Sequence, residues 1–320
     1  MMGRVNVSST EVFILLGLST RPSLEPVLFI LVSIFYVVSI VGNSVIILVS
    51  CMDVHLHTPM YFFLTNLSFL DISLITSIVP QLLVNLWGPQ KTISYGGCVA
   101  QFYISHWLGA TECVLLAIMS YDHYAAICRP LHYTVIMYSQ LCIGLAFASW
   151  LGGLITSMVG STLTMLLPPC GNNHINHFFC EMPLIMQLAY VDTSLDEIER
   201  YLASFSVAVL PLGLILVSYG HIAEAVLEIR SAEGQRKAFN TCSSHVAVVS
   251  LFYGSIIFMY LQPAKNTSHE QGKFIAPFYT VVTPMLNPVI YTLRNKDVKT
   301  ALSQILLENC CGFAGKCGYT

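Results

Sequence analysis

The stretch from Val27 to Met52 holds 26 consecutive residues without one Asp, Glu, Lys or Arg. A bilayer core of about 30 Å is crossed by about 20 helical residues, so this run alone predicts a membrane span. Comparable stretches follow at Pro59–Asn85, Gln101–Ile127, Leu141–Leu166, Tyr201–Val226, Cys242–Leu261 and Phe274–Leu293, which brings the predicted spans to seven. The whole chain agrees: 55% of its 320 residues are hydrophobic, only 10% are charged, and the mean hydropathy is +0.69. That composition excludes a water-soluble enzyme and a disordered chain. With 14 Lys plus Arg against 17 Asp plus Glu there is no basic surface for nucleic acid. Transmembrane strands would show segments of about ten residues alternating with period two, and these runs do not. The predicted fold class is therefore an all-α membrane protein, a bundle of seven transmembrane helices.

Orientation rests on a sequon more than on charge. Met1–Thr10 is polar and the first long apolar run begins only after Pro26, which does not fit a cleavable signal peptide. Asn6-Val7-Ser8 is a glycosylation acceptor that places the N-terminus outside. Asn266-Thr267-Ser268 falls on the same side, whereas Asn66-Leu67-Ser68 lies within a span and is expected to be inaccessible. Lys and Arg are only slightly more numerous in the segments that would face the cytoplasm, a weak positive-inside bias. No internal repeat or long linker divides the chain. Its organisation reads as an external segment 1–26, a membrane domain 27–293 and a cytoplasmic tail 294–320. Seven unequal spans do not form the two comparable halves of an inverted-repeat transporter.

Several motifs carry a family resemblance. They are Gly42-Asn43 in the first span, the run Leu56-His57-Thr58-Pro59-Met60-Tyr61-Phe62-Phe63-Leu64 entering the second, and Met119-Ser120-Tyr121-Asp122 ending the third. Ser218-Tyr219 follows in the fifth, Lys237-Ala238-Phe239-Asn240-Thr241-Cys242-Ser243-Ser244-His245 opens the sixth, and Pro284-Met285-Leu286-Asn287-Pro288-Val289-Ile290-Tyr291 closes the seventh. In this order, from about Glu11 to about Leu306, the chain resembles the odorant receptors, rhodopsin-like G-protein-coupled receptors. The resemblance implies a plasma-membrane receptor, found in the sensory cilia of olfactory neurons, that binds a small volatile odorant. It further implies a stimulatory heterotrimeric G protein as partner and cAMP as output.

Asp71 and Glu112 sit mid-span, where an ionised carboxylate costs roughly 2.5–3.5 kcal/mol on insertion scales unless it faces protein or water. Both should point inward. One reading is a protonated carboxyl bonded to a neighbouring helix. The other, from the resemblance, makes Asp71 a sodium-site carboxylate, with Glu112 a second acidic ligand and Asn43 and Asn287 neutral oxygens suited to a hard cation. No cofactor is obligatory; Na+ is the ion implied. Asn287-Pro288 removes a backbone donor and predicts a kink with exposed carbonyls. Such a kink is either static or, as the resemblance implies, a hinge. Pro211 and Tyr219 fit the same movable half, and the resemblance makes Tyr291 a further switch residue. The family's Asp-Arg-Tyr is replaced by Asp122-His123-Tyr124. Histidine lacks the permanent charge and planar fork of arginine, so weakened coupling is expected, partly rescued if His123 protonates beside Asp122.

By resemblance, Cys98 at the top of the third span pairs with Cys180 in the long loop. Tyr190 stands where the family has a further cysteine, which leaves Cys170 a free thiol. Cys170-x3-His174-x2-His177-x2-Cys180 has a zinc-like composition, but an oxidised Cys180 cannot supply thiolate. Helical spacing puts Phe102, Ser105, His106, Gly109 and Ala110 on one stripe of the third span, and Tyr253, Ile256 and Tyr260 on one stripe of the sixth. These stripes face either a ligand cavity or another helix. After the last span, Val298, Ala301, Leu302 and Ile305, with Lys296 and Lys299, predict a short amphipathic interfacial helix. Cys310 and Cys311 at its end are acylation candidates or plain thiols. Arg230, Arg236 and Lys237 meet a G protein, acidic lipid, or simply the positive-inside preference. Hydrolase, zincin and phosphate-loop motifs are absent from the sequence. A proton or ion pathway through Asp71 and Glu112, or a receptor-like chain that signals poorly, are the competing functions.

Overall fold

A computed structural model describes residues 12–18, 21–166, 174–181, 205–260, 273, 275–294, 298 and 300–303. Helix α1 spans Glu25–Met52, entered through a 3-10 turn at Pro22–Leu24, with Pro26 in its first turn where the missing N–H breaks no helical bond. Asp53 ends α1 and its Oδ1 accepts from the His55 amide at 2.9 Å, capping the turn Val54–Leu56. That backbone bond holds the Asp53 carboxyl below the usual carboxylate range. Helix α2 spans Pro59–Trp87, and α3, Tyr95–Cys128, starts where the Ser94 hydroxyl accepts from the Gly97 amide. Helix α4 spans Ser139–Met165. A π-helical turn, Phe205–Val209, leads into α5, Leu210–Glu228, and α6 runs Ala232–Tyr260. A second π-helical turn, Phe278–Val282, leads into α7, Thr283–Arg294. Among the described residues, α1 to α6 are each long and apolar enough to cross a membrane, and residues 275–294 form the seventh helical column. Helix α3 is the central post, packed on α2, α4, α5 and α6, while α7 rests on α1, α2 and α6.

The core is largely apolar, but the outer face and the buried polar groups differ from those of a protein folded in water. On α1, Val27, Ile30, Ile34, Val37 and Val41 are exposed, whereas Ser39 and Asn43 are fully buried. Ser68, Asp71, Thr111, Glu112, Ser120, Ser149 and Asn287 are likewise interior. In lipid the apolar side chains lose nothing by facing outward, and polar groups must find partners inside. Glycine makes the closest approaches. A Cβ on Gly42 would stand 2.8 Å from Pro288 Cγ, and one on Gly153 would meet the Thr111 backbone nitrogen at 2.9 Å. Small residues thus let α1 touch α7 and α4 touch α3.

The all-α expectation describes the bundle, but a small sheet is added at the end that carries the disulfide. Strand β1 (Val12–Leu15) lies between β2 (Thr92–Ser94), antiparallel, and β3 (His174–Ile175), parallel. Leu15, Ile93 and Ile175 from the three strands bury a common face against Phe102 and the two half-cystines. At the opposite end Val298 and residues 300–303 are helical. Val298 and Ala301 are buried against Ile46, Val49, Tyr61 and Leu64, so the predicted amphipathic segment lays its apolar side on α1 and α2. The sixth helix begins ten residues before the predicted Cys242, because its first turns carry Glu233, Gln235 and Arg236 and fall outside any apolar window.

Candidate ligand cavity and switch region

Cys98 and Cys180 form a disulfide with Cα atoms 5.5 Å apart, across 82 residues of sequence. Gln101, one turn beyond Cys98 on α3, reinforces it: its Oε1 accepts from the Cys180 amide at 3.0 Å and its Nε2 donates to the Ser77 carbonyl of α2 at 3.0 Å. The segment Phe178-Phe179-Cys180-Glu181 is thereby held over the bundle. Beneath it lies a cavity of about 930 Å³, its open mouth included, between α3, α6 and the two π-helical turns. Of the predicted contacts, Phe102, Ser105, His106, Gly109, Ala110 and Ile256 line it. A Cβ on Gly109 would meet nothing within 4 Å. His106 is tethered through Nδ1 to the Ser161 hydroxyl of α4 at 3.1 Å, and Ser105 donates to the Phe102 carbonyl.

Tyr253 does not line the cavity. Its hydroxyl donates to the Cys113 carbonyl at 3.1 Å, joining α6 to α3, and Phe252 takes the wall position instead. The face that meets the cavity carries 252 and 256, four apart, and residue 253 lies about 100° around the helix. Tyr260 ends α6, and its side chain lies outside the described residues. The sequence reading missed Leu74, Phe179, Glu181, Val207, Tyr279 and Thr280, all of which face the same space. Glu181 was legible in one respect, since it follows the paired Cys180. It accepts a hydrogen bond from the Tyr279 hydroxyl and stands 3.6 Å from His177. The walls are aromatic and aliphatic, with a few hydroxyl, imidazole and carboxyl groups, the usual make-up of a small-molecule site.

Below the cavity, Asn287 Nδ2 of α7 donates to Asp71 Oδ2 of α2 at 2.8 Å. Among the described residues, Asn43 Oδ1, Asp71 Oδ1, both Glu112 oxygens, Asn287 Oδ1 and the Tyr291 hydroxyl are buried with no hydrogen-bond partner. A native interior pairs its polar groups, so a proton, a water molecule or a cation belongs among these oxygens. The Asn43 amide nitrogen is engaged elsewhere, although its Oδ1 is not. Pro288 has no N–H to offer the Pro284 carbonyl one turn earlier, and that carbonyl accepts from Asn43 Nδ2 at 3.0 Å and from Ser39 Oγ at 3.1 Å. The carbonyl freed by the proline is thus held by α1.

At the end opposite the disulfide, Asp122 and His123 do not pair. Asp122 Oδ1 accepts from the Tyr133 hydroxyl at 2.8 Å, and burial together with the neighbouring carboxylate raises the Tyr133 phenol above its ordinary range. His123 is 4% exposed and packs edge-on against His245 of α6, ring centroids 5.3 Å apart. His245 Nδ1 is 2.8 Å from the Tyr219 hydroxyl of α5. Tyr124 turns toward His221, centroids 5.9 Å apart. These contacts join α3, α5 and α6 at this end of the bundle. Cys180 is oxidised, so the His174/His177 segment has no thiolate from it. Asn6, Cys170, Tyr190, Asn266, Ile305, Cys310 and Cys311 lie outside the described residues.

A family model described as "Olfactory receptor" matches residues 32–309. The human protein Olfactory receptor 2C3 is 83% identical over 316 residues, covering 99% of each chain. Human Olfactory receptor 2G6 is 55% identical over 98% of this chain and all of that one, and mouse Olfactory receptor 2C1 is 57% identical over 93% and 96%. Among solved structures, squid rhodopsin superposes with a TM-score of 0.69 at 17% identity, covering 89% of this chain and 81% of that chain, a likeness of fold. A seven-helix bundle with a lidded cavity, and a relative sharing more than four residues in five along nearly its whole length, lead to one conclusion: the chain belongs to the olfactory receptors, the multi-pass, non-enzymatic receptors of the rhodopsin-like class.

Proposed function

We propose that the chain binds small, volatile, mostly apolar odorants in the cavity beneath Cys98–Cys180 and passes the signal to a stimulatory heterotrimeric G protein that raises cAMP. It sits in the plasma membrane of sensory cilia with Asn6 outside and glycosylated. The observation that carries the reading is the cavity itself, with apolar walls and hydrogen-bonding groups at Ser105, His106 and Glu181. A ligand drives signalling only if it binds the active packing better than the inactive one. Cells carrying the parent or Gly109→Leu and challenged with an odorant panel test this by cAMP, with surface staining as control. The variant should lose at least tenfold in potency at equal surface level; unchanged potency for every active odorant removes the ligand from this cavity.

The polar centre is part of the same reading. Asp71 and Glu112 would hold a sodium ion, with Asn43 Oδ1 and Asn287 Oδ1 as neutral ligands, and this would favour the inactive packing. The oxygens left without partners support it, and hard cations take such oxygen sets.

A second reading is favoured by one observation: His123 is packed against His245 while Asp122 turns to Tyr133, so the Asp122–His123 pair is unmade. Coupling is then weaker than an arginine at this position gives. His123→Arg should raise the odorant-evoked cAMP response at matched surface level; equal responses discard this reading.

A further inference from the structure

The seam between α3 and α4 contains one hydroxyl unlike its neighbours. Four hydroxyl side chains of α4 are buried, and three of them donate to backbone carbonyls: Ser149 to Leu145, Ser157 to Tyr103 and Thr164 to Gly160. Ser161, fully buried, instead meets a ring nitrogen, His106 Nδ1 of α3, at 3.1 Å. A carbonyl can only accept, so it fixes the direction of the hydroxyl it binds; a ring nitrogen does not. Ser161 either donates to a bare Nδ1, which puts the ring proton on Nε2, or accepts from Nδ1–H, which leaves Nε2 bare. In the second arrangement a helical serine can return its own proton to the carbonyl four residues earlier. The ring is also held on its face, since Phe102, 1% exposed, stacks on it with centroids 6.1 Å apart and planes at 26°. His106 lines the ligand cavity and Ser161 does not, so with Nδ1 spent on α4 the nitrogen left for an occupant is Nε2.

We propose, resting on the cavity reading above, that the site selects neutral odorants with a single oxygen, alcohols and carbonyl compounds alike, with that oxygen at His106 Nε2 and with Ser161 as the residue that positions the ring. A bare Nε2 accepts from an alcohol, and a protonated Nε2 donates to an alcohol, an aldehyde or a ketone. Ser161 acts through His106 and touches no ligand. The remainder of the odorant lies along α3. From His106 to Cys113, both in the lining, the helix rises about 10 Å at 1.5 Å per residue. Gly109 and Ala110 leave room between them, and Phe252 and Ile256 of α6 stand in the same lining. A site shaped to hydrogen-bond an oxygen rejects the hydrocarbon of equal length, because its own polar atom then goes unpaired. One imidazole does not offset the desolvation of an ionised head, which sets the neutral oxygen apart from acids and amines.

The test is ligand-induced thermal stabilisation of the full chain in phosphatidylcholine nanodiscs, with straight-chain alkanes, 1-alkanols, 2-alkanones, 1-alkylamines and fatty acids of six to ten carbons as probes. Gly109→Leu, which fills the cavity, gives the background from partition into the bilayer. In the parent, alkanols and alkanones should half-saturate at concentrations at least tenfold below the alkane of equal length, and below the amine and the acid. His106→Phe should erase that advantage, and His106→Gln, which keeps both a donor and an acceptor, should restore part of it. Ser161→Ala should weaken alkanols and alkanones at least threefold while the alkane is unchanged, a split that a merely structural role would not produce. Alkanes that match their oxygenated counterparts, an amine or acid that outranks them, or no binding of any alkanol or alkanone overturns the proposal. So does an advantage that survives His106→Phe, or a Ser161→Ala loss shared by the alkanes. The comparisons on the parent need no variant, so a misfolded mutant does not shelter it. If Gly109→Leu binds the series as the parent does, the cavity reading itself falls. If Gly109→Leu loses binding but the oxygen gives no advantage over the alkane, that reading stands and only the anchor at His106 fails.

Discussion

Replacing Gly42 by alanine adds one methyl group at the place where α1 and α7 touch. Its Cβ would stand 2.8 Å from Pro288 Cγ and 2.9 Å from Pro288 Cβ, whereas ordinary carbon contacts begin near 3.4 Å. A rigid proline ring cannot swing away, so the helices must part by about half an ångström or more, and overpacking of this kind costs about 1–3 kcal/mol. The shift acts on a neighbour as well. Ser39 and Asn43 flank Gly42 and hold the Pro284 carbonyl at 3.1 and 3.0 Å, distances that leave little room to lengthen before the bonds fail. At roughly 2 °C per kcal/mol for a chain of this size, the melting temperature should fall by about 2–6 °C. The assay is thermal unfolding of purified receptor followed by a dye that reacts with buried thiols as they become accessible, with Gly109→Ala as control. A Cβ at Gly109 meets nothing within 4 Å, so that variant should melt with the parent. If Gly42→Ala also melts with the parent, the contact with Pro288 is not tight and the account of α1 as the clasp of α7 is wrong.

Other outcomes follow from the same geometry. Tyr253→Phe deletes the bond to the Cys113 carbonyl and should cost about 0.5–1.5 kcal/mol in unfolding while leaving odorant rank order unchanged, because the ring is outside the cavity lining; a reordered odorant profile would put Tyr253 back in the site. Sodium chloride should raise the melting temperature relative to choline chloride at equal ionic strength, and Asp71→Asn or Glu112→Gln should abolish the difference; a difference that survives both places the ion elsewhere. Cys98→Ser frees the lid and should lower stability by about 2–4 kcal/mol, read as loss of surface staining, and normal staining with a normal odorant response would show that the sheet and Gln101 hold the lid unaided.

The spans were legible because membrane insertion is decided by local composition, which a sequence displays directly. Val27–Met52 differs from the observed Glu25–Met52 by two residues at one end. The α3 face of the cavity was legible for a related reason: Phe102, Ser105, His106 and Gly109 follow helical spacing from Cys98, and Cys98 is anchored by a pairing the family resemblance supplied. The α6 face was one residue out of register at Tyr253, since periodicity gives the shape of a stripe but not its rotation about the axis. Contributions from Val207, Tyr279 and Thr280 were hidden because both π-helical turns shift the phase of the side chains that follow. The sheet was invisible for want of length: strands of four, three and two residues leave no alternation to detect. The oxygens around Asp71 and Glu112 showed as mid-span acids, but the clasp of the Pro284 carbonyl by Ser39 and Asn43 depends on a meeting across 245 and 241 residues.

The parallel pairing of Ile14 with His174 and Leu15 with Ile175 sets an order on biogenesis. Strand β1 leaves the ribosome before any of the described helices, yet its edge partner β3 is translated only after α1, α2, α3 and α4. The earliest-made of the described segments can pair with β2 and pack on Ile93, Tyr95 and Phe102 once α3 is made, but its other edge stays open until four spans have threaded and Cys180 has found Cys98. Closing so wide a loop is slow, and chaperones meet the chain in that interval. Lesions in the lid should therefore be recognised at the nascent N-terminus, long before any ligand is offered to the finished receptor.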